Sequence, residues 1–114
     1  MMNIQDYSTA AMTSLLDGHE YGDISPQMME HILGFVGESG EIAEKFKKIL
    51  RDNKGELTPE NKAELIKELG DVLWYINALA HSLDSDLEDV AKKNLEKITS
   101  RKARGVTRGS GDNR

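Results

Sequence analysis

The sequence predicts an all-α protein, a four-helix bundle-like fold whose core is completed by dimerisation. Three observations carry that expectation. Apolar residues recur at three- and four-residue spacing through nearly the whole chain, and both prolines stand where a helix should begin. The third is length: 114 residues form one domain with a thin core, so a helical chain with several apolar stripes completes that core by self-association.

The first helix is expected from Asn3 to Leu16, with Ile4, Tyr7, Ala11 and Leu15 on one face. The segment DGHEYGDIS then breaks the period. Ser25 as N-cap and Pro26 at the first helical position open a second helix running to about Arg51. After the turn DNKGEL, Thr58 and Pro59 repeat the start signal for a third helix. It carries Leu65, Ile66, Leu69, Val72, Leu73, Ile76, Leu79 and Ala80 and ends near Leu83. Ser85 with Glu88 reads as a capping box opening a fourth helix, Asp86 to Ala103, and Gly105 as its stop. Residues 1–104 thus form a single all-α domain, and residues 105–114 a basic, glycine-rich tail with the composition of a flexible end.

There is no cysteine, which removes disulfides, thiolate metal sites and cysteine nucleophiles. The N-terminus lacks a basic segment followed by an apolar run, and no stretch is long enough to span a bilayer, so a cytoplasmic protein without a membrane partner is expected. The formal charge of −5 is unevenly placed. Arg101, Lys102, Arg104, Arg108 and Arg114 against Asp112 make the last 14 residues +4 and the preceding body −9. An acidic body speaks against nucleic-acid binding, which needs a basic surface, and suits a holder of divalent cations.

The acids are arranged. EsGEIA at Glu38–Ala43 and ElGDVL at Glu68–Leu73 each give an acid, a glycine and a second acid, one set per long helix. With the first acid of each pair at zero, the second lies at about 300° and the apolar residues span about 40° to 160°. On helix two those are Ile32, Phe35, Val36, Ile42, Ala43 and Phe46; on helix three, Leu65, Ile66, Leu69, Val72, Leu73 and Ile76. Packing the two stripes together brings four carboxylates toward one another. They cannot all stay ionised uncompensated, and oxygen-only ligands favour Mg2+, with Mn2+ as a substitute. Magnesium shares its shell with phosphates, which points to a phosphate ester or anhydride substrate.

These residues resemble the MazG-like group of the all-α nucleoside triphosphate pyrophosphohydrolases, whose signature is Glu-x-x-Glu, a spacer, then Glu-x-x-Asp. Here it reads GESGE followed by KELGD, and GFVGESGEIAEKFKK, KELGDVLWYINALA and NLEKITSRKARG extend the likeness across helices two to four. The ending GSGDNR is similar to that of one subset of the group. The resemblance implies hydrolysis of a (deoxy)nucleoside triphosphate to the monophosphate and pyrophosphate. It implies Glu38, Glu41, Glu68 and Asp71 as magnesium ligands, Glu38 or Glu41 as the catalytic carboxylate that steers or deprotonates the nucleophile, and a homodimer or homotetramer.

Further residues are candidates for the substrate. Asn94 sits among Val90, Ala91, Leu95 and Ile98, where an amide needs a partner, and matches a recurrent asparagine of the family; it reads equally well as a structural amide. Lys97 and Arg101 follow at helical spacing, suited to phosphates or to a solvated face. Tyr75 follows Asp71 by one turn and resembles a tyrosine near the family's substrate. Trp74 lies farther round, at about 240° from Glu68, placed to stack a base or to pack in a dimer interface. Lys48 can reach phosphate, whereas Lys45 is expected to pair with acids. His31 is read as packing.

Competing readings remain. A di-metal carboxylate bundle for oxygen chemistry requires Glu-x-x-His pairs, which His19, His31 and His81 do not supply. A non-catalytic helical adaptor would use the acidic face for a partner. Within the resemblance, phosphoribosyl-ATP pyrophosphohydrolase is the nearer rival.

Overall fold

Each helix begins at a side chain that accepts from a free backbone amide. In the computed structural model, which describes residues 1–114, α1 spans Ile4–Met12, α2 Pro26–Asn53, α3 Pro59–Ser82 and α4 Leu87–Ala103. The Ser25 hydroxyl accepts from the Met28 amide at 3.0 Å, and Pro26 follows at the first helical position. Thr58 and Asn61 exchange two bonds at 3.0 and 3.1 Å, a full capping box at the head of α3. The protein is all-α, as expected.

Two boundaries differ from expectation for local reasons. α1 stops at Met12, not Leu16, because the Thr13 and Ser14 hydroxyls donate to the carbonyls of Ala10 (2.7 Å) and Ala11 (2.8 Å). Such local bonds compete with the next helical turn. At α4 the cap is Asp86, whose carboxylate accepts from the Asp89 amide at 2.7 Å. The expected Ser85–Glu88 box does not form; the Ser85 hydroxyl instead donates to the Asp89 side chain. Gly105, at φ 70°, ends α4 as expected, with the Val106 amide returning to the Arg101 carbonyl.

α2 and α3 run antiparallel, the start of α2 lying beside the end of α3. α4 touches α3 alone, and α1 touches no other helix. The radius of gyration is 20.3 Å, against about 13 Å for a compact chain of this length. The accessible surface is 9642 Å², where a folded monomer of this mass exposes about 6,200 Å². Only Leu65 and Ala80 are buried. The four helices therefore do not close into a bundle within one chain.

The two apolar stripes are only partly used. Ile32, Phe35, Ile42, Val72 and Ile76 are half-buried between α2 and α3, while Val36, Phe46, Ile66, Leu69 and Leu73 remain exposed. A stripe wider than about 100° needs more than one neighbouring helix to cover it.

Candidate metal and phosphate site

The α2–α3 pairing positions the carboxylates. Glu38 and Glu41 project from successive turns of α2, Glu68 from the facing turn of α3, and one oxygen from each lies within 4.8 Å of the others. Asp71 is not in this trio. One turn further along α3 it is exposed, and it lines an open recess of about 310 Å³ with Glu38, Trp74 and Tyr75. Four carboxylates were expected to converge; three do, and the fourth borders the adjoining recess beside Glu38.

Lys45 crosses from α2 and donates to Glu68 Oε1 at 3.0 Å, with Glu64 at 4.0 Å on its other side. The pairing of Lys45 with acids expected from its position is what the side chain makes. Its hydrogen bond holds the Glu68 carboxyl below the usual carboxylate range. Glu38 moves the other way: desolvation, then the charges of Glu41, Asp71 and Glu68, push its pKa up.

The arrangement fits a divalent cation. Glu38 Oε2 and Glu68 Oε2 are buried with no hydrogen-bond partner, a costly state for an acceptor-only group. Three ionised carboxylates against the Lys45 ammonium leave two uncompensated negative charges, the charge of one such ion. His31 is outside the cluster.

Next to the carboxylates stands an aromatic group. Trp74 and Tyr75 meet edge to face with centroids 5.0 Å apart, and His31 stands edge to face with Trp74 at 5.7 Å. Trp74 is 57% exposed and forms a wall of the recess. The Tyr75 ring lies on Gly34, where any Cβ would overlap it. Nothing in the sequence signals this contact of Gly34; the glycines its motifs single out, Gly40 and Gly70, stand beside the acids. A Cβ at either of those meets nothing within 4 Å, so packing inside this chain explains neither.

The remaining candidates lie apart. Lys48 forms no ion pair and lines a smaller recess with Lys45, Ile49, Asn61, Glu64 and Leu65, beyond the Lys45 end of the cluster. Asn94 is exposed and forms no side-chain hydrogen bond. Lys97 and Arg101 both engage Asp112 of the tail, Lys97 at 2.7 Å. α4 has no contact with α2, so within one chain these three residues do not reach Glu38 and Glu41. Asp112 was missed as a partner; the signal for it was the GSGDNR ending.

The MazG nucleotide pyrophosphohydrolase domain matches residues 26–106, from the first residue of α2 past the end of α4. The chain belongs to the MazG family. The MazG match holds all four motif acids, the aromatic pair, Lys48, Asn94, Lys97 and Arg101, and stops short of Asp112. The chain is 48% identical to the Gene 37 protein of Mycobacterium phage L5 over 114 residues, covering 99% of this chain and 100% of that protein. It is 42% identical over 75 residues to the uncharacterized protein YvdC of Bacillus subtilis (strain 168), covering 60% of this chain and 71% of YvdC. No solved structure matches. No helix is long and apolar enough to cross a membrane.

Proposed function

We propose that this MazG protein is a magnesium-dependent nucleoside triphosphate pyrophosphohydrolase, releasing the nucleoside monophosphate and pyrophosphate in nucleotide-pool clean-up. The observation that carries this is the Glu38–Glu41–Glu68 cluster with two buried, unpartnered carboxylate oxygens, set in a nucleotide pyrophosphohydrolase domain. Glu38, Glu41, Glu68 and Asp71 hold Mg2+, or Mn2+ in its place. When bound, the ion neutralises charge on the phosphates and lowers the pKa of a water. Glu41, the exposed member of the trio, and Glu38, whose pKa is raised, are the carboxylates suited to orient the attacking water or take its proton. Trp74 and Tyr75 border the same recess as Glu38 and Asp71, and an aromatic face there suits a nucleobase.

The protein works as a homodimer or homotetramer. The surface exposed in excess of a compact monomer, and the apolar edge left open on α2 and α3, support this. So does the separation of Lys97 and Arg101 from the carboxylates, which a second copy can remove by presenting its own α4.

Incubation with single nucleotides and Mg2+, followed by separation of products, tests the reaction. Monophosphate plus pyrophosphate is expected. Diphosphate plus phosphate contradicts the assigned bond, and turnover confined to phosphoribosyl-ATP moves the assignment to that relative. A chain that neither binds magnesium nor turns over standard, oxidised or methylated nucleotides is a helical adaptor.

A further inference from the structure

The tail is folded, not free. The Arg114 guanidinium donates to the carbonyls of Val106 (3.0 Å), Gly111 (2.7 Å) and Thr107 (3.1 Å), so the segment after Gly105 closes on its own last side chain. Gly109 and Gly111, at φ 125° and 89°, supply backbone shapes that other residues rarely adopt. Arg104 donates to the Arg114 main-chain oxygen at 2.7 Å and fastens the loop to α4.

The loop delivers Asp112 to two cations one helical turn apart. Lys97 Nζ donates to Asp112 Oδ1 at 2.7 Å, and Arg101 Nη2 donates to the same oxygen at 3.3 Å and to the Asp112 carbonyl. One anionic oxygen receiving a lysine and an arginine is how a phosphoryl oxygen is bound. The fit to a carboxylate is incomplete. Nε and Nη2 form one edge of the guanidinium, yet Arg101 Nε is buried without a partner while Nη2 is taken. A phosphoryl group, with several acceptor oxygens, can bond both donors of that edge and Lys97 together.

We propose that Asp112 is a built-in occupant of an anion site formed by Lys97 and Arg101, and that the phosphate chain of a substrate or of released pyrophosphate displaces its carboxylate. This rests on the reading of those two residues as phosphate-binding. The Arg114 and Arg104 bonds keep the strap attached while the Asp112 side chain swings out. The apparent affinity for phosphate is then lowered by the fraction of molecules in which Asp112 is closed.

The test is calorimetric titration of the full-length protein with inorganic tripolyphosphate, in EDTA and at fixed ionic strength, so that no metal bridges the anion to the carboxylate cluster. Asp112→Asn is expected to bind about two- to fivefold more tightly than the wild type, the scale of an exposed ion pair. Arg101→Ala added to Asp112→Asn should remove the gain. Glu88→Gln, the same change of net charge at the far end of α4, should leave affinity unchanged. Equal or weaker binding by Asp112→Asn, or an equal gain in Glu88→Gln, overturns the proposal. A second readout keeps the test open if Asp112→Asn loses helix content. In wild-type protein, saturating tripolyphosphate should shift the Arg101 Nε resonance and return the Asp112 carboxyl resonance to that of a free aspartate; unmoved resonances overturn the proposal. Neither readout involves turnover, so inactivity toward every nucleotide counts against the proposed reaction alone, and an active enzyme failing these tests counts against the strap alone.

Discussion

Lys45 hydrogen-bonds one oxygen of Glu68 across the α2–α3 interface and leaves the other buried and unpaired. The lysine is thus a partial counter-ion, holding the helices in register while the cluster keeps capacity for a cation. Replacing Lys45 by methionine should lower the melting temperature of the metal-free protein. It should also enlarge the rise in melting temperature that Mg2+ produces. Thermal unfolding with EDTA and with Mg2+ measures both, and a magnesium shift equal to the wild type's would show that Lys45 and the ion do not share the cluster.

Removing charge from the acids should separate chemistry from folding. Glu41→Gln and Asp71→Asn are each expected to lower turnover by about 100-fold or more. Both residues are exposed, so the far-UV circular dichroism of each variant should match that of the parent. Full activity in either variant would remove that residue from the metal set.

Acidity should act through Glu38. Because its folded-state pKa is raised, the metal-free fold binds a proton there that the unfolded chain has already lost. Stability from this group is present below the ordinary glutamate value and is lost as pH rises through the raised one. Magnesium binding has the opposite trend, since the ion competes with that proton. Denaturation in EDTA should therefore show Glu38→Gln flattening the decline with rising pH. Magnesium titrations should show affinity falling, on acidification, at a pH above the usual glutamate range; a midpoint at the ordinary value contradicts the desolvated carboxyl.

The two kinds of helical glycine should respond in opposite directions. Gly34→Ala forces a Cβ into the Tyr75 ring and should cost about 1–3 kcal/mol. Gly70→Ala meets nothing in the chain and should gain up to about 1 kcal/mol from helix propensity alone. Urea unfolding reports both, and a loss at residue 70 would mark that position as a contact of the assembled state.

The exposed edge of α3 should govern assembly. Leu69→Glu with Leu73→Glu places charge on residues that are 56% and 51% exposed in the single chain. Sedimentation should find the parent heavier than 12.7 kDa and the double variant shifted toward that mass. A wild type that sediments as a monomer refutes the oligomer.

Much of this molecule was legible in its amino acids. Ser25–Pro26 and Thr58–Pro59 announce α2 and α3 because capping is a local bond between neighbours in sequence. The angular placement of Glu38, Glu41 and Glu68 follows from helix geometry once two stripes are paired. What failed was relational. Asp71 stands beside Glu38 in the adjoining recess and not within the trio, a distinction that wheel angles do not contain. Gly34 was overlooked because its significance is the Tyr75 ring, 41 residues away in sequence. The tail's glycines suggested looseness, whereas Arg114 turns them into the joints of a folded loop.

α1 has consequences beyond its own nine residues. Isolated helices shorter than about 12–15 residues are marginal in water, and α1 touches no other helix of its chain. Its capping box between Asn3 and Asp6 sets where the helix starts but supplies no face to dock on. Ile4, Tyr7 and Met12 are exposed, so stable helicity in this segment needs a covering partner, and in the proposed dimer or tetramer that would make the N-terminus a sensor of protein concentration. Amide exchange at residues 4–12 should slow as the solution is concentrated, giving a label-free gauge of assembly in a region remote from the carboxylates.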